Sequence, residues 1–385
     1  MASSKPNGLG SSLTIQELAK EPMLVIPERY VRLDNEPCSN LSEDATTKTI
    51  PTVDMQQLLM GEATDFQLDK LHSICKEWGI FQLVNHGVSS LLVEKLKYEI
   101  EEFYKLPLEE KMKYKMQPGD VEGYGTLLMQ DDEKLDWGDR LYMVVNPVHK
   151  RKAHLLPQLP SSLRKTLESY ISELQKLAMT VFGLMAKALK IDKREMEEMF
   201  DDGMQSVRMS YYPPCPQPEM VMGLRPHSDA DGITILLQVN GVEGLQIKKD
   251  GIWIPVSFLP DAFVVNAGDI LEILSNGLYN SIEHRATVNS VKERMSIAMF
   301  FHPRLEAEIG PAASLLNPQN SPLFKRISTE KYYKKIHSRK LKGKLFLDQM
   351  KIENGEDDTA CYTTTKKAIG DRLILSPNIK ISSLK

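Results

Sequence analysis

Apolar residues in the first half of the chain recur at helical spacing. In "QLDKLHSICKEWG" the positions Leu68, Leu71, Ile74 and Cys75 form one stripe, which predicts a helix ended by Gly79. A second helix is predicted over roughly 89–105. From Pro160 to about Leu189, the stripe Leu163, Leu167, Tyr170, Ile171, Leu174, Leu177, Val181 and Leu184 predicts one long amphipathic helix. "TIPTVDM" at 49–55 and "IFQLVNHGV" after Gly79 read as strands. The Gly- and Asp-rich stretch 118–147 reads as loop with short strands.

After residue 205 the period shortens to that of strands. "SVRMSYYP", "GITILLQV", "GLQIKKDGIWIPV", "AFVVNAGDILEIL", "HRATVNSV" and "RMSIAMFFHP" are short and closely spaced, and Asp250-Gly251 marks a hairpin turn. The pattern predicts an α+β fold: a double-stranded β-helix (jelly-roll) core flanked by helices, with a helix-rich N-terminal region. The expected divisions are an irregular arm (1–48), a helix-rich region (49–200), the jelly-roll core (201–305), a helical cover (306–350) closed by a helix over 330–350, and a polar tail (351–385). The tail has no periodic apolar stripe and is expected to be disordered and dispensable.

Composition narrows the function. With 48 basic and 52 acidic residues the net charge is −4, which gives no electrostatic case for nucleic acid. No apolar run is long enough to span a bilayer, and the first residues lack the apolar core of a secretory signal. The four cysteines, Cys38, Cys75, Cys215 and Cys361, form no CxxC pair. A cytoplasmic monomer acting on a small molecule, with neither disulfides nor structural zinc, is the expectation.

Candidate chemistry gathers in the second half. In "RPHSDADGITILLQ", His227 and Asp229 stand two apart at a strand entrance and share a face if the strand continues. Either they are a polar strand end or they point at one atom. His284 follows 55 positions later on another predicted strand and supplies a third donor. Two histidines and one carboxylate make the facial triad of non-haem Fe(II) oxygenases. Arg294 and Ser296 share a face ten positions further on, and a guanidinium beside a hydroxyl suits a carboxylate. Phe300 continues the same inward alternation and is placed for substrate stacking or for core packing. His86 and His302 read as packed strand-end histidines.

"HSDADGITILLQ", "NAGDILEILSNGLYNSIEHRA", "ERMSIAMFFHP", "SYYPPCPQP", "IPTVDM", "CKEWGIFQLVNHGV" and "LDWGD" resemble the plant 2-oxoglutarate/Fe(II)-dependent dioxygenases of the isopenicillin-N-synthase-like superfamily. The arm "TIQELAKEPMLVIPERYVR" resembles the branch holding senescence-related-gene proteins, alkaloid O-demethylases and a dioxygenase-like norcoclaurine synthase. The resemblance implies that His227, Asp229 and His284 hold Fe(II), and that Arg294, Ser296 and Tyr212 hold the distal carboxylate of 2-oxoglutarate. It implies O₂ as co-reactant and ascorbate as support. It places Tyr124, in "EGYG", on a pocket wall. Ser210 stands where many relatives have Asn, and the presence of Asp229 disfavours a halogenase. The implied reaction is hydroxylation or O-demethylation of an alkaloid- or phenolic-like metabolite, with 2-oxoglutarate decarboxylated to succinate and CO₂. A non-oxidative condensing or ligand-binding relative on the same scaffold is the alternative.

Overall fold

The computed structural model describes residues 14–32 except 22 and 24, 49–60, 64–126, 134–337 and 344–352. The helices are α1 (Ile15–Leu18), α2 (Met55–Leu59), α3 (Thr64–Glu77), α4 (Ser90–Lys105), α5 (Leu108–Met112), α6 (Ser161–Leu189), α7 (Lys193–Phe200), α8 (Asp269–Leu274), α9 (Thr329–His337) and α10 (Leu345–Met350). The strands are β1 (Thr52–Asp54), β2 (Ile80–Val84), β3 (Gly123–Gly125), β4 (Asp139–Asn146), β5 (Gln205–Tyr212), β6 (Leu224–His227), β7 (Ile233–Gln238), β8 (Leu245–Lys249), β9 (Ile252–Pro255), β10 (Phe263–Ala267), β11 (His284–Ala286), β12 (Arg294–Phe301), β13 (Glu308–Ile309) and β14 (Ile327–Ser328). None of these helices is long and apolar enough to cross a membrane.

Alternation within the strands builds the two faces of the main sheet. Its order is β1-β2-β10-β7-β12-β5-β4-β3. On β12, Met295, Ile297, Met299 and Phe301 join the large core, while Arg294, Ser296, Ala298 and Phe300 face an internal cavity. On β5, Val207, Met209 and Tyr211 pack outward, and Arg208 and Tyr212 face inward. The outward face is covered by α6, whose stripe from Leu163 to Leu184 is buried as its spacing predicts. A second sheet, β6-β11-β8-β9, lies across the inward face. A smaller apolar cluster, including Ile80, Leu245, Ile247, Ile254 and Val264, spans the gap between the sheets. This two-sheet sandwich is the jelly-roll core.

The β8–β9 hairpin turns at Asp250 and Gly251, with φ of 53° and 79°, the left-handed pair of a type I′ turn. The stretch 118–147 is more regular than its composition suggests: β4 is eight residues long and alternates buried with half-buried positions. Residues 50–162 contribute four strands to the main sheet, so helices and barrel are not separate layers in sequence.

The arm is seated, not loose, where it is described. Ile15, Ile26 and Tyr30 pack with Trp137 and Val221. The Asp139 carboxylate accepts the Ile15 and Gln16 N–H groups at 3.1 and 2.8 Å, tying the first turn of α1 to β4. The closing helix expected over 330–350 is α9 and α10, with 338–343 outside the described residues. Ile352 N–H donates to Leu323 O at 2.9 Å. The remainder of the tail, 353–385, and residues 33–48 of the arm lie outside the described residues.

Candidate active site

His284 opens β11 and sits directly opposite His227, the last residue of β6. Their rings are 4.3 Å apart. Asp229 lies just past the end of β6, not on a continuing strand as the i, i+2 reading supposed. Its side chain still converges: Oδ1 is 3.6 Å from His227 Nε2 and 3.7 Å from His284 Nε2. The three donor atoms lie within 4.8 Å of one another, and all three residues are buried.

Hydrogen bonds decide where the protons are. His227 Nδ1 donates to Arg225 O at 2.8 Å and His284 Nδ1 donates to Ile282 O at 3.1 Å. A carbonyl only accepts, so in each neutral ring the lone pair is on Nε2. Asp229 Oδ2 accepts from Thr234 Oγ1 at 2.6 Å and Asn266 Nδ2 at 2.9 Å, which leaves Oδ1 for the centre. His227 Nε2 is buried and makes no hydrogen bond. With both imidazoles neutral, three lone pairs face one point, an arrangement complemented by a cation. Two imidazoles and a carboxylate on one side fit Fe(II).

Burial opposes ionisation of Asp229, but His284, His227 and the Thr234 hydroxyl outweigh it and hold the carboxyl well below its usual range. Burial pushes His284 down to about 4 against the pull of Asp229, so it is neutral at pH 7. Asp231 is pushed well up, first by burial and then by Asp229. Thr234 has one proton and spends it on Asp229. The same hydroxyl also lies 3.0 Å from Asp231 Oδ2.

Arg294 is buried on β12 opposite Tyr212, its guanidinium 5.2 Å from the Tyr212 ring. Ser296 lies one same-face step along, opposite Ser210. Arg294 pairs with no carboxylate among the described residues, and its Nε is buried without a partner. Gly244 makes room for it: a Cβ there would stand 2.8 Å from Arg294 Cδ. One cavity is lined by Arg294, Ser296 and Tyr212 together with Asp229 and His284. A larger cavity of about 260 Å³, beside His86 and Leu259, contains none of these residues.

Residues 203–303 match the family model of the 2OG-Fe(II) oxygenase superfamily, and residues 50–162 match that of the non-haem dioxygenase in morphine synthesis N-terminal region. The chain is 51% identical to codeine O-demethylase of Papaver somniferum over 351 residues, 90% of this chain and 97% of that one. It is 49% identical to oxoglutarate-dependent flavonoid 7-O-demethylase 1 of Ocimum basilicum over 358 residues, 92% of this chain and 95% of that one. The chain belongs to the 2-oxoglutarate/Fe(II) oxygenase superfamily. The crystal structure of JOX2 in complex with 2OG, Fe and JA superposes with a TM-score of 0.81 at 32% identity, covering 89% of this chain and 99% of that one. Fe(II) and 2-oxoglutarate are accordingly this oxygenase's cofactor and cosubstrate.

The remaining expected residues divide. In this oxygenase Phe300 faces the cavity, but its ring is already held. Tyr142 meets it edge-on at 6.4 Å, His302 lies parallel at 6.4 Å, and the Arg208 guanidinium is 5.4 Å from its centroid. Tyr124 is corrected. It is 1% exposed, buried in the main core edge-on to Phe103 at 6.3 Å, and it does not line the cavity. The short β3 turns that ring toward α4 and away from the pocket.

His86 packs 4.2 Å from Phe263, accepts Val88 N–H on Nδ1 and donates from Nε2 to Asp261 O. His302 bonds Tyr333 Oη at 2.7 Å and Ser206 Oγ at 3.1 Å. Both are packed histidines at strand ends.

Sequence reasoning passed over Thr234, Asn266, Asp231 and Arg208. A signal existed for two of them. Asn266 is the one polar residue in the apolar run "FVVNA". Arg208 shares the alternation that puts Tyr212 inside.

Proposed function

We propose that this oxygenase O-demethylates or hydroxylates a small aromatic plant metabolite. In this reading His227, Asp229 and His284 hold Fe(II). Arg294, Ser296 and Tyr212 hold the distal carboxylate of 2-oxoglutarate, and Phe300 forms part of the substrate wall. The observation that carries it is the convergence of three metal-donor atoms beside a buried arginine that pairs with no carboxylate among the described residues. The two demethylases, at about half identity over nearly the whole chain, support the choice of substrate class.

When bound, Fe(II) with 2-oxoglutarate and O₂ supplies oxidation of a C–H bond coupled to release of succinate and CO₂. The chain's own part is placement. The Arg294 fork gives directional, charge-assisted hydrogen bonds and fixes the cosubstrate's far end. Carbonyls Arg225 O and Ile282 O aim the imidazoles, and Thr234 and Asn266 aim Asp229. Phe300, clamped by Tyr142 and His302, offers a fixed surface that sets which carbon faces the centre. Attack on an O-methyl group gives formaldehyde and a free hydroxyl; attack on a ring or chain carbon leaves an alcohol.

A cytosolic monomer fits the buried free thiols of Cys75 and Cys215. Incubation with 2-oxoglutarate under air, with and without aromatic methyl ethers, tests the reading. Substrate-dependent succinate with formaldehyde supports demethylation, succinate with a hydroxylated product supports hydroxylation, and product without succinate supports the non-oxidative alternative.

A further inference from the structure

The inner face of the main sheet carries more positive charge than the cosubstrate needs. Arg208 on β5 lies opposite Ala298, one same-face step beyond the Ser210–Ser296 row. Arg140 on β4 lies opposite Ser210. The two are therefore diagonal neighbours on adjacent strands, about 7–8 Å apart at their Cβ positions, near enough for both forks to reach one small group.

Both line a cavity of about 70 Å³ that shares Arg208, Tyr212 and Leu224 with the iron cavity. Neither forms an ion pair among the described residues. Arg140 gives one hydrogen bond, from an Nη to Val121 O at 3.1 Å, and lies 5.3 Å over the Tyr142 ring. Arg208 rests on Phe300. The Nε of each is buried without a partner.

Among the described residues, the acids that line this cavity are engaged elsewhere. Asp136 pairs with Arg32 at 2.9 Å and with Arg225 at 3.2 Å. Asp139 accepts the N–H groups that start α1. Burial, then the charge of Arg208, pushes Arg140 down to about 10, which leaves it protonated at neutral pH. Two half-buried like charges with no ion-pair partner among the described residues repel one another in the ligand-free protein, and an anion between them relieves that repulsion.

We infer that Arg140 and Arg208 form a second anion subsite that takes a carboxylate of the substrate being oxidised, distinct from the Arg294 clamp that takes 2-oxoglutarate. The inference rests on the reading of this chamber as the oxygenase's substrate site. It narrows the substrate class to acidic molecules. An anion bridging two forks gains charge-assisted hydrogen bonds, whereas an amine brings a third positive charge to the same place.

The test uses the full chain loaded with Fe(II) and 2-oxoglutarate under anaerobic conditions, where binding is measured without turnover. The probes are 4-methoxybenzoate, its uncharged methyl ester and 4-methoxybenzylamine. The acid is expected to bind wild type at least tenfold more tightly than the ester or the amine. Arg208→Met and Arg140→Leu should each remove that preference and leave the KM for 2-oxoglutarate within about twofold. Ligand-free melting temperatures of both variants should equal or exceed wild type, which a merely structural arginine would not allow. If Arg208→Met fails to fold, Arg140→Leu carries the test, since that side chain makes one hydrogen bond. No preference for the acid in wild type, absence of binding included, overturns the subsite, as does a preference that survives both variants. Acid-selective binding with no succinate release in air from any aromatic methyl ether would keep the subsite and reject the oxidative reading instead.

Discussion

His284 stands directly across the β6–β11 ladder from His227, and Asp229 Oδ1 lies within 3.7 Å of both Nε2 atoms. One antiparallel strand pair therefore fixes the two proposed histidine ligands by register, and the proposed third, Asp229, is delivered by the turn that follows β6.

Removing Asp229 leaves two imidazoles and no anion at the centre. Asp229→Ala should abolish turnover and weaken Fe(II) binding while the fold survives. Anaerobic Fe(II) titration checks this; wild-type affinity in the variant would remove Asp229 from the ligand set.

Thr234 touches no substrate in this account and acts by aiming Asp229. Thr234→Val should weaken Fe(II) affinity about 10–100-fold while the KM for 2-oxoglutarate stays near wild type. Metal titration beside cosubstrate kinetics separates the two, and equal changes in both would point to general loosening of the site.

Arg294→Ala should raise the KM for 2-oxoglutarate by an amount worth about 2–5 kcal/mol, because the carboxylate is then buried without its partner. Fe(II) affinity should hold. An unchanged KM in a cosubstrate titration would mean that the carboxylate lies elsewhere.

Stability should follow the protonation of His284. Its folded value of about 4 lies below the ordinary 6.5, so as pH falls the unfolded chain takes up the proton first. Metal-free protein should lose stability as pH drops through the window from 6.5 to about 4, and bound Fe(II) should be released on the same side. Melting curves at stepped pH give the answer; a melting temperature flat across that window contradicts a neutral, buried His284.

Much of this was legible in the sequence, for identifiable reasons. The α6 stripe persists over 29 residues, long enough for the helical period to be unmistakable. Arg294, Ser296 and Phe300 follow one strand's alternation, so reading their common face needed no tertiary information. Asp229 was placed on the right side for an incomplete reason, since the turn after β6 and not the strand presents it. Thr234 and Asn266 stayed hidden because they act on Asp229 across strands whose pairing spacing does not reveal. β4 was obscured because its inward positions include Arg140, which faces a cavity, and Tyr142, and neither is aliphatic. Tyr124 was placed on a pocket wall by resemblance alone, and its three-residue strand gives no period from which to read a face.

The central claim is most directly tested by the stoichiometry of succinate to oxidised product, measured under air with 2-oxoglutarate and a panel of aromatic methyl ethers that includes acidic members, with formaldehyde assayed in parallel. The account predicts that wild type forms succinate and product in equal amounts with at least one member, and that Asp229→Ala forms neither. Product made without succinate, or succinate and product at the wild-type rate from Asp229→Ala, would contradict it.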